Sequence, residues 1–272
     1  AGGVEMMSRV PFMGDGAGYY ADASFPKRTR FIPVVLGADR LAETVGISRE
    51  ELDAVALTSQ QRAVAAEGVA AFTASRIPLG GLTKEECVRP STTAQSLAAM
   101  PPSFAALAGQ YADALEGPID HRHTIAHAPP VCDGAGLAVI GGAPEAGEAP
   151  RARILAYAES GGDPYASLLA GLSAMDKALA RAGLTLADMD RIEFMEAFGV
   201  TIAKFMRDYP ADPDKVNVSG GHMAKGHPMG ATGAILTSTL LDVLDAADGR
   251  LGLVVCTGAA GVGAAMVVER LN

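Results

Sequence analysis

The chain of 272 residues has no tryptophan, only three cysteines and fewer basic than acidic side chains. The cysteines, Cys87, Cys132 and Cys256, are too few and too scattered for a disulfide scaffold or a zinc knuckle, which favours a reducing, cytoplasmic setting. With 22 Lys and Arg against 31 Asp and Glu, the net charge is −9. This charge disfavours sequence-independent binding to nucleic acid or to an anionic membrane, so an anionic ligand must be held locally.

Uninterrupted hydrophobic runs of membrane-spanning length are also scarce. Residues 251–268 carry no charge and approach the roughly 18 apolar residues of a spanning helix. Glycines break this stretch into the runs Leu251–Cys256 and Ala264–Val268, which favours two buried strands. Because 49% of the residues are hydrophobic, the chain can bury a full core, and we expect no membrane span.

A link rich in glycine, proline and glutamate, Gly141–Pro150, divides the chain. Before it, Ser48 and Glu51 form a capping-box pattern that predicts a helix to about Phe72. Asp133–Gly141 is predicted to be a strand. After the link we predict strands and helices in alternation: strand Ala152–Tyr157, helix Pro164–Ala182, strand Arg191–Met195, helix Ala197–Tyr209, strand Val216–Ser219, helix Ala231–Ala246 and the two terminal strands. This alternation favours a mainly parallel sheet covered on both faces.

The segment Asn217–Gly233 places His222 and His227 among five glycines, just before a predicted helix. A glycine-rich loop lets backbone and imidazole reach a ligand together, and the free N–H groups of a helix N-terminus favour a developing anion. Histidine also titrates near neutral pH, as acid–base chemistry requires. A buried turn without chemistry is the alternative.

Cys256 ends an apolar strand and is followed by a glycine-rich turn. A thiol at such a junction can approach a ligand and act as a base or a nucleophile, although a small buried hydrophobic side chain is the plainer interpretation. The glycines Gly258, Gly261 and Gly263 do not follow the dinucleotide-binding fingerprint and lead into a strand, so a nicotinamide cofactor is disfavoured.

Two further groups of polar residues have both structural and functional interpretations. Glu196 lies where a strand meets a helix, where it could cap the helix or orient a catalytic water, and capping is the commoner outcome. His121, His123 and His127 have an H-x-H-x-x-x-H spacing that could hold zinc together with Asp133, which lies further along the chain. They lack a fourth ligand nearby, so we expect no metal.

Taken together, three segments in this order resemble the thiolase family of acetyl-CoA acyltransferases. They are the helix region Gly46–Ala63, the histidine segment Asn217–Gly233 and the C-terminal segment Cys256–Gly263. The resemblance implies an α/β fold with αβαβα layers, a mixed, mainly parallel sheet and an inserted loop domain. On that template the chain divides into 1–12 with 133–149 as the remnant of an N-terminal half, 13–132 as the loop domain and 150–272 as the C-terminal half.

The resemblance implies thiolysis of a 3-oxoacyl-CoA by CoA, or the reverse Claisen condensation, with CoA as a substrate and no cofactor. Cys256 then corresponds to the cysteine that moves a proton, and His227 to the histidine that activates a nucleophilic cysteine. The Gly258 N–H belongs to an oxyanion hole, and Glu196 is counted with this catalytic group. The implied substrate and CoA contacts are Arg89, Phe104, Phe198, Met195 and Pro129.

The chain departs from the family pattern at three places. The family's nucleophilic cysteine lies in a C-x-S-G-type motif upstream of Ala1, and neither Cys87 nor Cys132 has that context. Met195 stands where many members have Asn or His, which puts the water held there in doubt. His127–Pro130 replaces the family's Asn-Ala-Ser-Gly loop, which leaves the acyl-chain preference open.

Our leading hypothesis is a thiolase that receives its nucleophile from a companion N-terminal chain and assembles as a homodimer or tetramer. The second hypothesis is a thiolase-like subunit that binds acyl-CoA, or acts as a scaffold, without turnover. A dinucleotide-dependent oxidoreductase is a distant third.

Overall fold

The computed structural model describes residues 1–11, 14, 16–18, 22, 24–142, 149–165 and 168–271. The strands are β1 Gly2–Met6, β2 Asp133–Leu137, β3 Ala152–Gly161, β4 Arg191–Phe194, β5 Leu251–Gly258 and β6 Val262–Arg270. The helices are α1 Phe25–Thr29, α2 Val34–Val45, α3 Arg49–Ala66, α4 Ala94–Ala98, α5 Ala105–Ala108, α6 Ala170–Ala182, α7 Gly199–Asp208, α8 His222–Lys225 and α9 Thr232–Ala246. Across these ranges, no helix combines the length and the apolar character needed to cross a membrane.

The larger sheet has four strands in the order β3-β6-β5-β4. The predicted α/β class and mixed sheet are confirmed, but the balance of strand directions differs from the expectation. Only β4 and β5 are parallel, whereas β5–β6 and β3–β6 are antiparallel. The short turn Ala259–Gly261 joins β5 to β6, and a connection this short allows only antiparallel pairing.

Helices cover both faces of this sheet, as the alternation predicts. On one face Leu253 and Val255 pack into a core that includes Met175 and Leu179 of α6. On the other face Val254 packs into a core with residues of α7 and α9. Side chains alternate between the two faces along β5, so Cys256 lies on the same face as Val254, beside α9.

A separate two-stranded antiparallel ribbon is formed by β1 and β2. One face of it lies against the start of α9, where a Cβ atom at Gly136 would come within 2.8 Å of the Ile235 nitrogen. The opposite face is apolar and open, with Val4 68% and Leu137 82% exposed. The ribbon therefore has one packed face and one face that lacks a cover in the described part of the chain.

Several element boundaries differ from prediction. The Ser48 capping box is confirmed at the start of α3, but α3 ends at Ala66 and a separate 3-10 turn, Ala70–Thr73, follows, so the prediction to Phe72 was too long. The predicted strand Val216–Ser219 is wrong, because only an isolated bridge joins Val216 to Ile192. The first helix after the link begins at Ala170, later than predicted.

Candidate active site

An open cleft of about 880 Å³ lies at the carboxyl end of β5. Four of the residues singled out from the sequence line it together, namely Met195, His227, Cys256 and Gly258. Thr232 and Gly233, the first residues of α9, also line it, so the start of a long helix lies at the cleft, although the Thr232 N–H itself donates to the Met229 carbonyl. The cleft thus brings together a thiol, an imidazole and the positive end of a helix dipole, as the sequence pattern predicts.

His227 is held at its backbone and at one ring nitrogen. Its N–H donates to the Pro130 carbonyl at 2.9 Å, and Nδ1 lies 2.7 Å from the Thr232 hydroxyl. Burial lowers the pKa of His227 to about 4, because a charged imidazole would lose its hydration. The ring is therefore neutral at pH 7. When Nδ1 carries the ring proton and donates it to the Thr232 hydroxyl, Nε2 is the nitrogen that can accept a proton.

Cys256 has the opposite electrostatic character. Burial raises the pKa of its thiol to about 11, so the group is protonated at neutral pH and can donate a proton. Gly233 faces it, and a Cβ atom at that glycine would lie 4.0 Å from the sulfur. A thiol that can donate a proton and a neutral imidazole that can accept one thus share the cleft, which is the pairing that general acid–base chemistry needs.

The turn before His227 depends on a glycine. Gly226 caps α8 with φ 94° and ψ 167°, a conformation that side-chain-bearing residues rarely adopt. A Cβ atom there would also come within 2.6 Å of the Cys132 sulfur. Cys132 therefore packs behind the turn, and burial raises the pKa of its thiol to about 12.

Glu196 does not line the cleft. It is buried, and its carboxylate accepts hydrogen bonds from the Ser59 hydroxyl at 2.7 Å, the Met223 N–H at 3.1 Å and the Asn217 amide at 3.0 Å. These bonds tie the end of β4 to α3 and α8. Sequence reasoning did not identify Ser59 or Asn217 as partners, since contacts between residues this far apart in the chain leave no local pattern.

The remaining predicted binding residues also lie outside the lining of this cleft. Phe198 is buried edge-on against His123, with 5.9 Å between ring centroids. Phe104 is half-buried at the start of α5, and Arg89 is exposed, with its backbone N–H bonded to Gln60. Pro129 precedes the residue that holds the His227 backbone, so it lies beside the turn. None of these four lines the cleft with Cys256, although Phe198, Phe104 and Cys256 pack in one hydrophobic cluster.

The three clustered histidines bind carboxylates. His121 and His123 both contact Asp39 through Nδ1, at 2.8 and 2.7 Å. His127 contacts Asp53 at 2.7 Å, and burial lowers its pKa to about 4. Within the ranges that the structure covers, no group of three or more potential ligands is arranged to hold a metal ion.

The fold and the cleft define an α/β protein with a cysteine–histidine site at a helix N-terminus. Comparison with known families makes the assignment specific. The family model of the thiolase C-terminal domain matches residues 148–270, and that of the thiolase N-terminal domain matches residues 1–141. The chain belongs to the thiolase family of acyltransferases.

Relatives agree with this assignment. The chain is 36% identical to an acetyl-CoA acetyltransferase of Escherichia coli strain K12, covering 100% of this chain and 72% of the relative. It is 34% identical to a 3-ketoacyl-CoA thiolase of Shewanella baltica, covering 99% and 70%. Among solved structures, human mitochondrial 3-ketoacyl-CoA thiolase in complex with CoA matches with a TM-score of 0.76 and 30% identity, covering 89% of this chain and 59% of that one.

A Bacillus anthracis acetyl-CoA acetyltransferase matches with a TM-score of 0.77 and 29% identity, covering 88% of this chain and 60% of that one. The chain thus spans about seven-tenths of the length of the two curated relatives and about six-tenths of the length of the two solved chains.

Proposed function

We propose that this chain supplies the proton-transfer half of a thiolase active site, acting on 3-oxoacyl-CoA and CoA. The observation that carries the proposal is the meeting of Cys256 and His227 in one cleft, with the protonation states that the reaction needs. The N-terminus of α9 and the Gly258 backbone at the same cleft provide donors for the negative charge that develops on a thioester oxygen.

The chemistry can be followed proton by proton. A nucleophilic thiolate, formed when His227 accepts the thiol proton, attacks the 3-oxo carbon and takes the acyl group as a thioester. The bond between carbons 2 and 3 breaks, and the carbanion of the departing acetyl-CoA takes the Cys256 proton. The Cys256 thiolate then removes the proton of an incoming CoA, whose sulfur attacks the acyl thioester and regenerates the nucleophile.

The nucleophile itself is the open part of this scheme. Neither Cys87 nor Cys132 is among the residues that line the cleft, and Cys132 packs behind Gly226. We propose that a companion segment with the nucleophilic cysteine docks beside the cleft. The open apolar face of the β1–β2 ribbon supports this, because an uncovered face of this kind is typical of a surface that another segment covers.

A direct test is the mass of every polypeptide in the native particle, measured after denaturation. A second chain with a cysteine followed by small residues is the expected result. A particle made only of the 27.8 kDa chain would overturn the companion proposal. The native mass of the same sample gives the number of copies, which we expect to be two or four.

A non-catalytic role is the second candidate, favoured by Met195. This side chain is buried and places an apolar group in the cleft floor, where it cannot hold a water by hydrogen bonding. An acyl-CoA-binding subunit would retain CoA in a binding assay and transfer no acyl group in the complete particle. Thiolysis that is lost on Cys256→Ser substitution would instead establish the enzyme.

A further inference from the structure

A second imidazole lies against that of His227. The ring centroids of His222 and His227 are 5.5 Å apart and their planes meet at 81°, which is an edge-to-face contact. His222 is the first residue of α8 and is only 5% exposed. The scheme above gives it no role, although it touches the base on which that scheme depends.

The contacts of His227 show what such a neighbour can do. The Thr232 hydroxyl holds Nδ1, but a hydrogen bond to one atom fixes a point of the ring and leaves its plane free to turn. A perpendicular ring packed against the imidazole restricts that rotation. The two contacts together favour one orientation of the ring, in which Nε2 is the nitrogen available to the nucleophilic thiol.

The charged groups that act on the two rings are Lys225, near His222, and Glu5, near His227. Burial, together with nearby His227 and Lys225, lowers the pKa of His222 to about 3, so the ring is neutral beside its partner. For His227, the Glu5 carboxylate of β1 is the charge that opposes burial. His222 thus covers one side of the base without giving its charged form a counterion.

His222 is not held in place by a hydrogen bond at Nδ1. Among the described residues this nitrogen is buried and has no partner, and a buried nitrogen without a partner costs free energy. The contact of His222 that bears on the site is therefore the packing of its ring against the His227 imidazole. An aromatic ring of similar size without nitrogen atoms should serve as well.

We propose that His222 is a positioning residue for the acyl-transfer site, whose ring fixes the plane of the His227 imidazole and keeps water from one side of it. A role in acyl transfer rests on the proposed function, but the effect of the His222 ring on His227 can be tested without turnover. The informative pair of variants is His222→Phe, which keeps a ring, and His222→Ala, which removes it. His121→Ala, at a partly buried histidine bound to Asp39, is the matched control.

The first measurement is the rate at which diethyl pyrocarbonate modifies His227, followed by mass spectrometry across pH. In the wild type, in His222→Phe and in the control, the rate should stay level down to about pH 5, because the base remains neutral. In His222→Ala, water enters and the rate should fall below the ordinary histidine pKa of about 6.5. A level profile in His222→Ala, or a falling one in His222→Phe, would overturn the proposal.

The second measurement is acyl transfer by the complete particle. We expect His222→Ala to lower kcat about tenfold or more with little change in KM, since a misplaced base weakens the chemical step. His222→Phe should stay within about threefold of wild type on the same argument. If the wild-type particle transfers no acyl group while the modification profiles behave as expected, the proposed function fails and the positioning role stands.

Discussion

The strongest structural prediction concerns the turn that presents His227, and Gly226→Ala is the change that tests it. Gly226 adopts φ 94° and ψ 167°, a backbone region reserved for glycine that costs other residues about 1–3 kcal/mol. The new methyl carbon would also lie 2.6 Å from the Cys132 sulfur and 3.1 Å from its Cβ. Overpacking of this kind costs about 1–3 kcal/mol, so we expect a loss of about 2–6 kcal/mol in the free energy of unfolding.

The control separates the two costs. Gly183 ends α6 with φ 68° and has no atom within 4 Å of its absent Cβ, so Gly183→Ala bears only the left-handed backbone cost of about 1–2 kcal/mol. Urea unfolding of both variants gives the comparison directly. Adding Cys132→Ala to Gly226→Ala removes the sulfur and should recover part of the loss. Equal losses for the two alanine variants would refute the packing argument for Gly226.

Two other predictions concern buried carboxyl groups near the site. Glu196→Ala should lower the free energy of unfolding by about 2–4 kcal/mol in urea titrations, because it leaves the Asn217 amide and the Met223 N–H without the Glu196 acceptor. Glu196→Gln should cost less. An alanine variant as stable as wild type would contradict the anchoring role. Burial raises the pKa of Glu193 to about 8, so the native state holds a proton that the unfolded state releases above its ordinary pKa of 4.5. The Glu193 carboxyl therefore contributes stability that is lost as pH rises from 4.5 to about 8. Because burial lowers the pKa of His222 and His227, these histidines contribute in the opposite direction below pH 6.5, so the quantity to measure is the difference between wild type and Glu193→Gln. The variant should gain stability relative to wild type as pH rises through this window, and a difference that does not change with pH would show that Glu193 does not contribute.

Local signals predicted most of the second part of the chain. The uncharged run 251–268 forms the two strands β5 and β6, as its glycines indicate, and not a membrane helix. The helix α6 ends at Ala182 as predicted, and Gly183 follows it with a φ of 68°, which suits a residue without a side chain. The Ser48 capping box is also present with both hydrogen bonds. Each of these features depends on residues close together in the chain.

Contacts between strands and helices that are far apart in the chain were harder to predict from the sequence. The balance of parallel and antiparallel strands depends on which strands become neighbours, and the antiparallel partnership of β3 with β6 joins residues more than a hundred positions apart. The helix α2 was not identified, although Gly46 ends it with φ 67°. Its apolar residues pack against α7 and the loop region, a context that the local pattern does not reveal.

In the candidate site, too, features set by neighbouring residues were predicted and features set by distant residues were not. The glycine-rich segments identified His227, Cys256 and Gly258, and the structure places them around one cleft. The buried partners of Glu196 and the ring contact of His222 became visible only in three dimensions. The roles assigned to Arg89, Phe104, Phe198 and Pro129 stay predictions, because these residues lie outside the lining of that cleft in the described structure.

The measurement that tests the central claim most directly is thiolysis of a 3-oxoacyl-CoA by the complete particle, with wild type, Cys256→Ser and His227→Ala compared at equal protein concentration. If these two residues move the protons, each substitution should lower kcat by about 10²–10⁴-fold, while thermal unfolding shows that the variants stay folded. Full activity in both variants would contradict the account, since the cleft at the end of β5 would then not be where acyl transfer occurs.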